Sequence, residues 1–150
     1  MPSQASRPKP PGWDKYLESV GGNTDILSSK VAEFVDSSSA GSPFFAYLAP
    51  FAPHFPSAPA PRHFGLYDSL PAYHPPNFNI PEPGKSPFDE AIIPNIDNYR
   101  RRALESLQAV DEMVADLTSR LRNRSILDNT VIVFTSAEVV ERKPGSPGKT

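Results

Sequence analysis

The sequence predicts an α/β fold, and three segments of the 150-residue chain carry that prediction. Residues 43–49 form a continuous apolar run closed by Pro50, and residues 130–135 are apolar or β-branched throughout. Both compositions are typical of strands buried on two faces. Between them, residues 97–123 place apolar side chains at helical spacing. A strand, a covering helix and a second strand predict a right-handed crossover that makes the two strands parallel.

The chain before the first strand divides into a lead-in and a helix. Residues 1–22 are rich in proline and glycine, which predicts a flexible lead-in, and residues 23–150 are predicted to be one partial domain. Asn23 or Thr24 can cap a helix of about three turns, which ends near Ser37. The apolar residues of that helix recur at helical spacing: Leu27, Val31, Phe34 and Val35.

A long proline-rich loop follows the first predicted strand. Residues 50–96 contain most of the 19 prolines, interleaved with aromatic residues that can pack. Loops of this length inside a compact domain are uncommon and are usually functional or disordered. The aromatic content favours an ordered loop here.

The long predicted helix carries one apolar stripe and several charges. Arg100, Arg101 and Arg102 lie at its predicted start, where positive charge opposes the helix macrodipole, so a solvated face is expected and anion binding is the alternative. Asp111 and Glu112 flank the stripe and are predicted to be solvated or paired. At the predicted end of the helix, residues 123–125 form an Asn-Arg-Ser glycosylation sequon.

Composition excludes several classes of function. The net charge is −2 and the basic residues are scattered, so no electrostatic footprint for nucleic acid or an anionic membrane is present. The chain contains no cysteine, which excludes disulfides and thiolate chemistry within these residues. The first residues lack the apolar core of a secretory signal, and no run approaches the roughly 18 apolar residues of a membrane span.

His54 is the best candidate for chemistry from position alone. In open parallel sheets, ligands bind beyond the carboxyl ends of the strands, and those ends lead here into Pro50–His54 and Ser136–Glu138. An imidazole there can donate a hydrogen bond to an anionic oxygen or a proton to a leaving group. The alternative is a surface histidine in a proline-rich loop. His63 and His74 follow without a regular ligand spacing, so no metal site is predicted.

Three long segments resemble the sulfatase family in sequence and in order. Residues 43–54 resemble its strand-to-histidine segment, residues 99–114 its long helix, and residues 127–136 a later strand. The resemblance covers about residues 23–136 and is closest to arylsulfatase and N-acetylglucosamine-6-sulfatase-like members. It implies part of an alkaline-phosphatase-like parallel sheet with covering helices, and a family that is commonly secreted or lysosomal.

The resemblance also implies the chemistry and its residues. Sulfatases hydrolyse sulfate esters with a formylglycine nucleophile beside a calcium ion. On this basis His54 contacts the sulfate and assists the leaving group, and Lys149 holds a sulfate oxygen. The match of residues 59–63 extends the expectation of substrate binding to Arg62 and His63.

Two departures from the family pattern change what is expected of the chain. Ala137 and Glu138 stand where the family has an aspartate and an asparagine that bind calcium, and alanine offers no side-chain oxygen to a hard cation. The family's nucleophile motif is absent from these residues. A truncated or degenerate sulfatase that is inactive alone and needs a complementary chain segment is therefore expected.

Two other functions stay open at this level. The proline-aromatic loop contains a P-x-x-P match at residues 56–59, which predicts a non-catalytic binding module that presents a polyproline ligand. The second is a phosphoesterase of the same superfamily. The nucleophile distinguishes this activity from that of a sulfatase, and these residues lack the nucleophile motif.

Overall fold

The computed structural model describes residues 11–15, 23–39, 41–81, 83–84 and 93–135. Two α-helices dominate this part of the chain, α1 at Thr24–Ser37 and α2 at Ile93–Asn123. Single 3-10 turns lie at Pro61–His63 and Leu127–Asn129. The two α-helices pack against each other, and the first 3-10 turn packs on α2.

Helix α1 begins and ends as the sequence predicts. The side-chain oxygen of Asn23 accepts hydrogen bonds from the backbone N–H groups of Asp25 and Ile26, at 2.8 and 3.4 Å. This cap satisfies donors that have no partner within the helix. Helix α1 ends at Ser37, where the sequence changes to a polar serine run.

Helix α2 begins about one turn before its predicted start and ends where predicted. It begins at Ile93 rather than near Asp97, and its last residue is Asn123. The helix pair buries a core of Val31 and Val35 from α1 against Leu121 from α2, with Leu27 and Leu117 packed around it. Each of these residues belongs to the apolar stripes that the sequence predicts.

The predicted parallel sheet is wrong for the described residues. Residues 43–50 and 130–135 have no strand structure, and no backbone hydrogen bond joins residues 43–49 or 131–135 to the rest of the described chain. A strand needs a neighbouring backbone to satisfy its N–H and C=O groups. Composition alone indicated strands here, and the part of the chain that the structure describes offers neither run a paired backbone.

The two apolar runs differ in how far they pack on the helices. Leu48 packs against the helix-pair core, and the Phe44 ring contacts the Phe34 ring edge-on at 5.5 Å. Val131 and Phe134, in contrast, are 89% and 87% exposed.

None of the helices in the described ranges has the length and apolar character that crossing a membrane requires.

Candidate functional site

His54 lies in a tight loop that the backbone holds in shape. The His54 N–H donates to the Phe51 carbonyl at 2.9 Å, and the Ser57 N–H donates to the His54 carbonyl at 2.8 Å. Ser57 is buried, and its hydroxyl donates to the Pro53 carbonyl at 2.7 Å. The Tyr99 hydroxyl of α2 also donates to that carbonyl, at 3.4 Å. The loop therefore holds His54 through its own hydrogen bonds and through one contact with α2.

The His54 ring is exposed and has one defined tautomer. Its Nδ1 lies 2.8 Å from the Phe55 carbonyl, and a carbonyl oxygen only accepts, so Nδ1 carries the proton in the neutral ring. The ring packs on Phe51 with 4.6 Å between centroids. Nε2 then has no hydrogen-bond partner among the described residues and can exchange a proton with a bound molecule. This is the geometry that a general acid or base needs.

Arg62 links the two helices through a pair of carboxylates. Its Nη1 and Nη2 donate to the two oxygens of Asp25 in α1 at 2.9 and 2.7 Å, and its Nε donates to Glu112 in α2 at 2.8 Å. Nη2 makes a further short contact with Glu112. Both donor edges of the guanidinium are thus paired with carboxylates.

The electrostatics of this link favour the charged forms of all three groups. Hydrogen bonds from Arg62 hold the pKa of Asp25 below its ordinary value, and they do the same for Glu112, with a second contribution from His63. The same bonds raise the pKa of Arg62. A bidentate contact of this kind is stronger than one between neutral groups, although solvent screens side chains that are about half exposed.

His63 is buried, whereas His54 is exposed. The His63 Nε2 lies 2.8 Å from Glu112 and donates to it, since the carboxylate is an acceptor only. In the neutral ring Nδ1 is then the acceptor nitrogen, and it is buried without a partner among the described residues. The structure therefore places Arg62 and His63 together on Glu112.

Glu105 is an anchor that the sequence argument did not single out. It is fully buried, and it accepts the Gly65 N–H at 2.9 Å and an Arg102 N–H at 2.6 Å. The Arg102 guanidinium lies 3.9 Å from the centroid of the Phe64 ring. Glu105 precedes the buried residues Ala109 and Met113 by four and eight positions. This spacing places Glu105 on the buried face of α2, and a sequence argument could have found it from that spacing.

The arginines that the sequence assigned to a solvated face contact the proline-rich loop instead. Arg100 donates to the Pro71 carbonyl and lies 5.2 Å from the Tyr73 ring centroid. Arg101 donates to the Leu70 carbonyl at 3.1 Å. Because α2 begins earlier than predicted, these residues lie beyond its first turn, where the macrodipole opposes them less.

A small cavity lies between the first turn of α1, residues 58–61 and α2. Its volume is about 130 Å³, and its α2 wall is formed by Ser106 and Ala109. Ligand pockets usually reach about 300 Å³ or more. His54 does not line this cavity, so the exposed histidine and the cavity are separate features.

Two parts of the predicted site lie outside the described residues. They are positions 137–138, which the family pattern links to calcium, and Lys149, which it links to a sulfate oxygen. Within the ranges described, no group of three or more histidine, aspartate or glutamate side chains could hold a metal ion. Asp25 and Glu112 are already paired with Arg62, so they do not fit a calcium ion.

Comparison with known proteins identifies the family. The Sulfatase family model matches residues 3–146, and the chain belongs to this family. The chain is 31% identical over 131 residues to Sulfatase ppz1 of Metarhizium majus, a match that covers 76% of this chain and 31% of that protein. It is 33% identical over 121 residues to the N-acetylglucosamine-6-sulfatase of Homo sapiens, covering 75% and 22%.

A third relative is named as an arylsulfatase. An arylsulfatase of Volvox carteri is 28% identical over 144 residues, covering 76% of this chain and 22% of that protein. The chain therefore spans between about a fifth and a third of the length of these relatives. No solved structure gives a significant match.

Proposed function

We propose that this chain supplies the histidine-bearing side of a sulfate-ester hydrolase site, with His54 as the acid that protonates the leaving alcohol. The observation that carries the proposal is the exposed His54 ring, whose Nδ1 is bound to the Phe55 carbonyl while Nε2 stays unpaired within the described chain. Membership of the sulfatase family supports a sulfate ester as the substrate class.

The proposed step is proton transfer to the ester oxygen that leaves. Hydrolysis breaks the bond between sulfur and that oxygen and adds water, so the products are an alcohol and inorganic sulfate. A doubly protonated His54 donates the Nε2 proton to the departing oxygen. The Nδ1 proton stays on the ring and keeps its hydrogen bond to the Phe55 carbonyl. Lys149 is proposed to hold a sulfate oxygen, as the family pattern implies.

Arg62 and His63 are proposed to support substrate binding indirectly, because they anchor the proline-rich loop to the helices. Direct contact of Arg62 with sulfate would require a sulfate oxygen to displace Asp25 or Glu112 from the guanidinium. The carboxylates are held next to it by the fold, so this exchange is unfavourable. Anchoring keeps the exposed His54 ring at one position relative to α2.

The 150 residues alone are not expected to turn over an aryl sulfate. Sulfatase chemistry combines a covalent nucleophile with groups that stabilise charge, and these residues contain no Cys-x-Pro-x-Arg motif, or its serine counterpart, from which a formylglycine could form. Loss of one member of a catalytic unit removes most of the rate. Substrate contact at His54 is therefore the property to measure.

The experiment is an NMR titration of the histidine rings with a nonhydrolysable aryl sulfamate and, separately, with an aryl phosphonate. We expect the His54 ring signals to shift with the sulfamate, while those of His74, which is paired with Asp97 at 3.0 Å, stay in place. His54→Ala removes the shifting signal and provides its assignment. A larger response to the phosphonate would favour the phosphoesterase. Unchanged His54 signals with both compounds would contradict the proposal.

A chromogenic assay tests the prediction of inactivity independently. Wild type and His54→Ala, purified in the same way, should both release product at the rate of buffer. Turnover that falls in His54→Ala would show that an unrecognised nucleophile such as Ser136 acts, and the chain would then be no degenerate remnant.

We favour this proposal over the polyproline-ligand module because of the backbone at Ser57. Residues 56–59 match P-x-x-P, but Ser57 has a φ of 49°. A polyproline-II segment keeps φ near −75° at each residue. Recognition in that mode would require the loop to give up the hydrogen bonds that Ser57 makes to residues 53 and 54.

A further inference from the structure

The end of α2 is closed by a pair of capping hydrogen bonds. The Ser125 N–H donates to the Arg122 carbonyl at 2.9 Å, and the Ile126 N–H donates to the Leu121 carbonyl at 3.0 Å. Ile126 also packs against the core cluster that contains Leu121. This combination is the Schellman motif, in which the first residue after the cap adopts a left-handed conformation.

Ser125 occupies the position of that motif where glycine is usual. Its φ is 57°, a conformation that carries a steric cost for any residue with a Cβ atom. The serine hydroxyl is exposed and has no hydrogen-bond partner among the described residues, so the hydroxyl itself does not offset that cost. The capping bonds explain the left-handed conformation but not the choice of serine over glycine, and this choice points to a role for the hydroxyl.

The residues next to Ser125 indicate a role for its hydroxyl. Asn123, two positions earlier, is the last residue of α2, and its exposed amide has no partner within the described ranges. Between them, Arg124 is turned toward α1, where its guanidinium donates to the Ser38 carbonyl at 2.6 Å. Asn123 and Ser125 are thus both open to solvent, and the long side chain between them is held elsewhere.

We propose that Asn123 is an attachment site for an N-linked oligosaccharide, with Ser125 as the hydroxyl residue that the transferring enzyme recognises. Asn-x-Ser is the acceptor sequence of this modification, and an exposed chain segment is what it requires. The end of a helix opens more readily than its middle, which allows the acceptor segment to extend into an enzyme.

The transfer consumes a lipid-pyrophosphate-linked oligosaccharide. The Asn123 side-chain nitrogen forms a bond to the anomeric carbon of the first sugar and loses one proton to a base of the enzyme. The bond from that carbon to the pyrophosphate oxygen breaks, and the lipid pyrophosphate leaves with the electron pair. No oxidant or reductant is needed.

The site is remote from the histidine loop. Asn123 lies eleven positions beyond Glu112, which corresponds to roughly 16 Å along α2. The attachment point is therefore separate from the Arg62 link. The inference is independent of sulfate-ester chemistry.

The test expresses the full chain behind a cleavable secretion signal in eukaryotic cells and treats the secreted protein with an amide-cleaving glycosidase. We expect one glycosidase-sensitive mobility shift, with the mass change of deamidation at position 123 in the corresponding peptide. Asn123→Gln should abolish the shift. Asn129→Gln, which changes an exposed asparagine without a hydroxyl residue two positions later, should keep it.

Two changes at Ser125 separate modification from folding. Ser125→Gly relieves the left-handed conformation, so it should raise the thermal midpoint of the bacterially produced chain and abolish the glycan. Ser125→Thr should lower that midpoint and retain the glycan. An unmodified wild-type chain in the secreted fraction, or a glycan that persists in Ser125→Gly, would overturn the proposal.

Discussion

The helix pair and the apolar run at residues 130–135 both carry large apolar side chains but have very different surroundings. Helices α1 and α2 bury Val35 and Leu121 to 1% and 2% exposure, and Arg62 and Glu105 join them to the proline-rich loop. Val131 and Phe134 carry equally apolar side chains and are almost fully exposed. A helix satisfies its backbone hydrogen bonds internally and needs only one partner face, whereas a strand needs a neighbouring backbone as well.

The largest effect is expected from a cavity in the helix-pair core. Leu121→Ala should lower the free energy of unfolding by about 2–5 kcal/mol, because a buried leucine loses its packing and leaves a void. Leu66→Ala is the matched control, since Leu66 is 57% exposed and should change stability by no more than about 0.5 kcal/mol. Urea unfolding followed by helical circular dichroism measures both. Equal losses would mean that the core is misassigned.

Removal of the buried charge at Glu105 should have the next largest effect. Glu105→Gln keeps the size of the side chain but weakens its hydrogen bonds to Gly65 and Arg102, at a cost of about 1–3 kcal/mol. Glu33→Gln is the control, because the Glu33 pair with Lys30 is exposed and contributes about 0.5 kcal/mol or less. Faster proteolysis near residue 65 in Glu105→Gln would confirm that the loop has been released.

The Arg62 link should make stability depend on pH in the acidic range. The pKa values of Asp25 and Glu112 are lowered in the folded state from 3.8 and 4.5, so their contribution is complete above those values. It is lost as the pH falls below them through the lowered folded-state values. Urea midpoints from neutral pH downward should fall less steeply in Arg62→Gln than in wild type. Parallel curves would show that the link is too well screened to matter.

The smallest effect on stability is expected in the exposed apolar run. Val133→Lys should change the free energy of unfolding by about 0.5 kcal/mol or less, because Val133 is 80% exposed. The same substitution should reduce the binding of an apolar-surface dye and the tendency to aggregate. Undiminished dye fluorescence would locate the exposed apolar surface elsewhere, for example at Phe45 and Tyr47.

The amino-acid sequence by itself determined the helices and the family. The Asn23 cap, the apolar stripes of both helices and the end of α2 at Asn123 are local patterns, and the structure confirms them. The match to the Sulfatase model confirms the family that residues 43–54, 99–114 and 127–136 indicated. Local propensity and spacing suffice for these features, because each depends on residues close together in the chain.

Only the tertiary structure decided the strands and the partners of the site residues. The composition of residues 43–49 and 130–135 favours strands, but strand formation depends on a paired backbone that composition does not specify. Arg62 contacts Asp25 and Glu112 across 37 and 50 positions of the chain, and Gly65 contacts Glu105 across 40. Such distant pairs form because the helices pack, so a single sequence leaves several partners open for each charge.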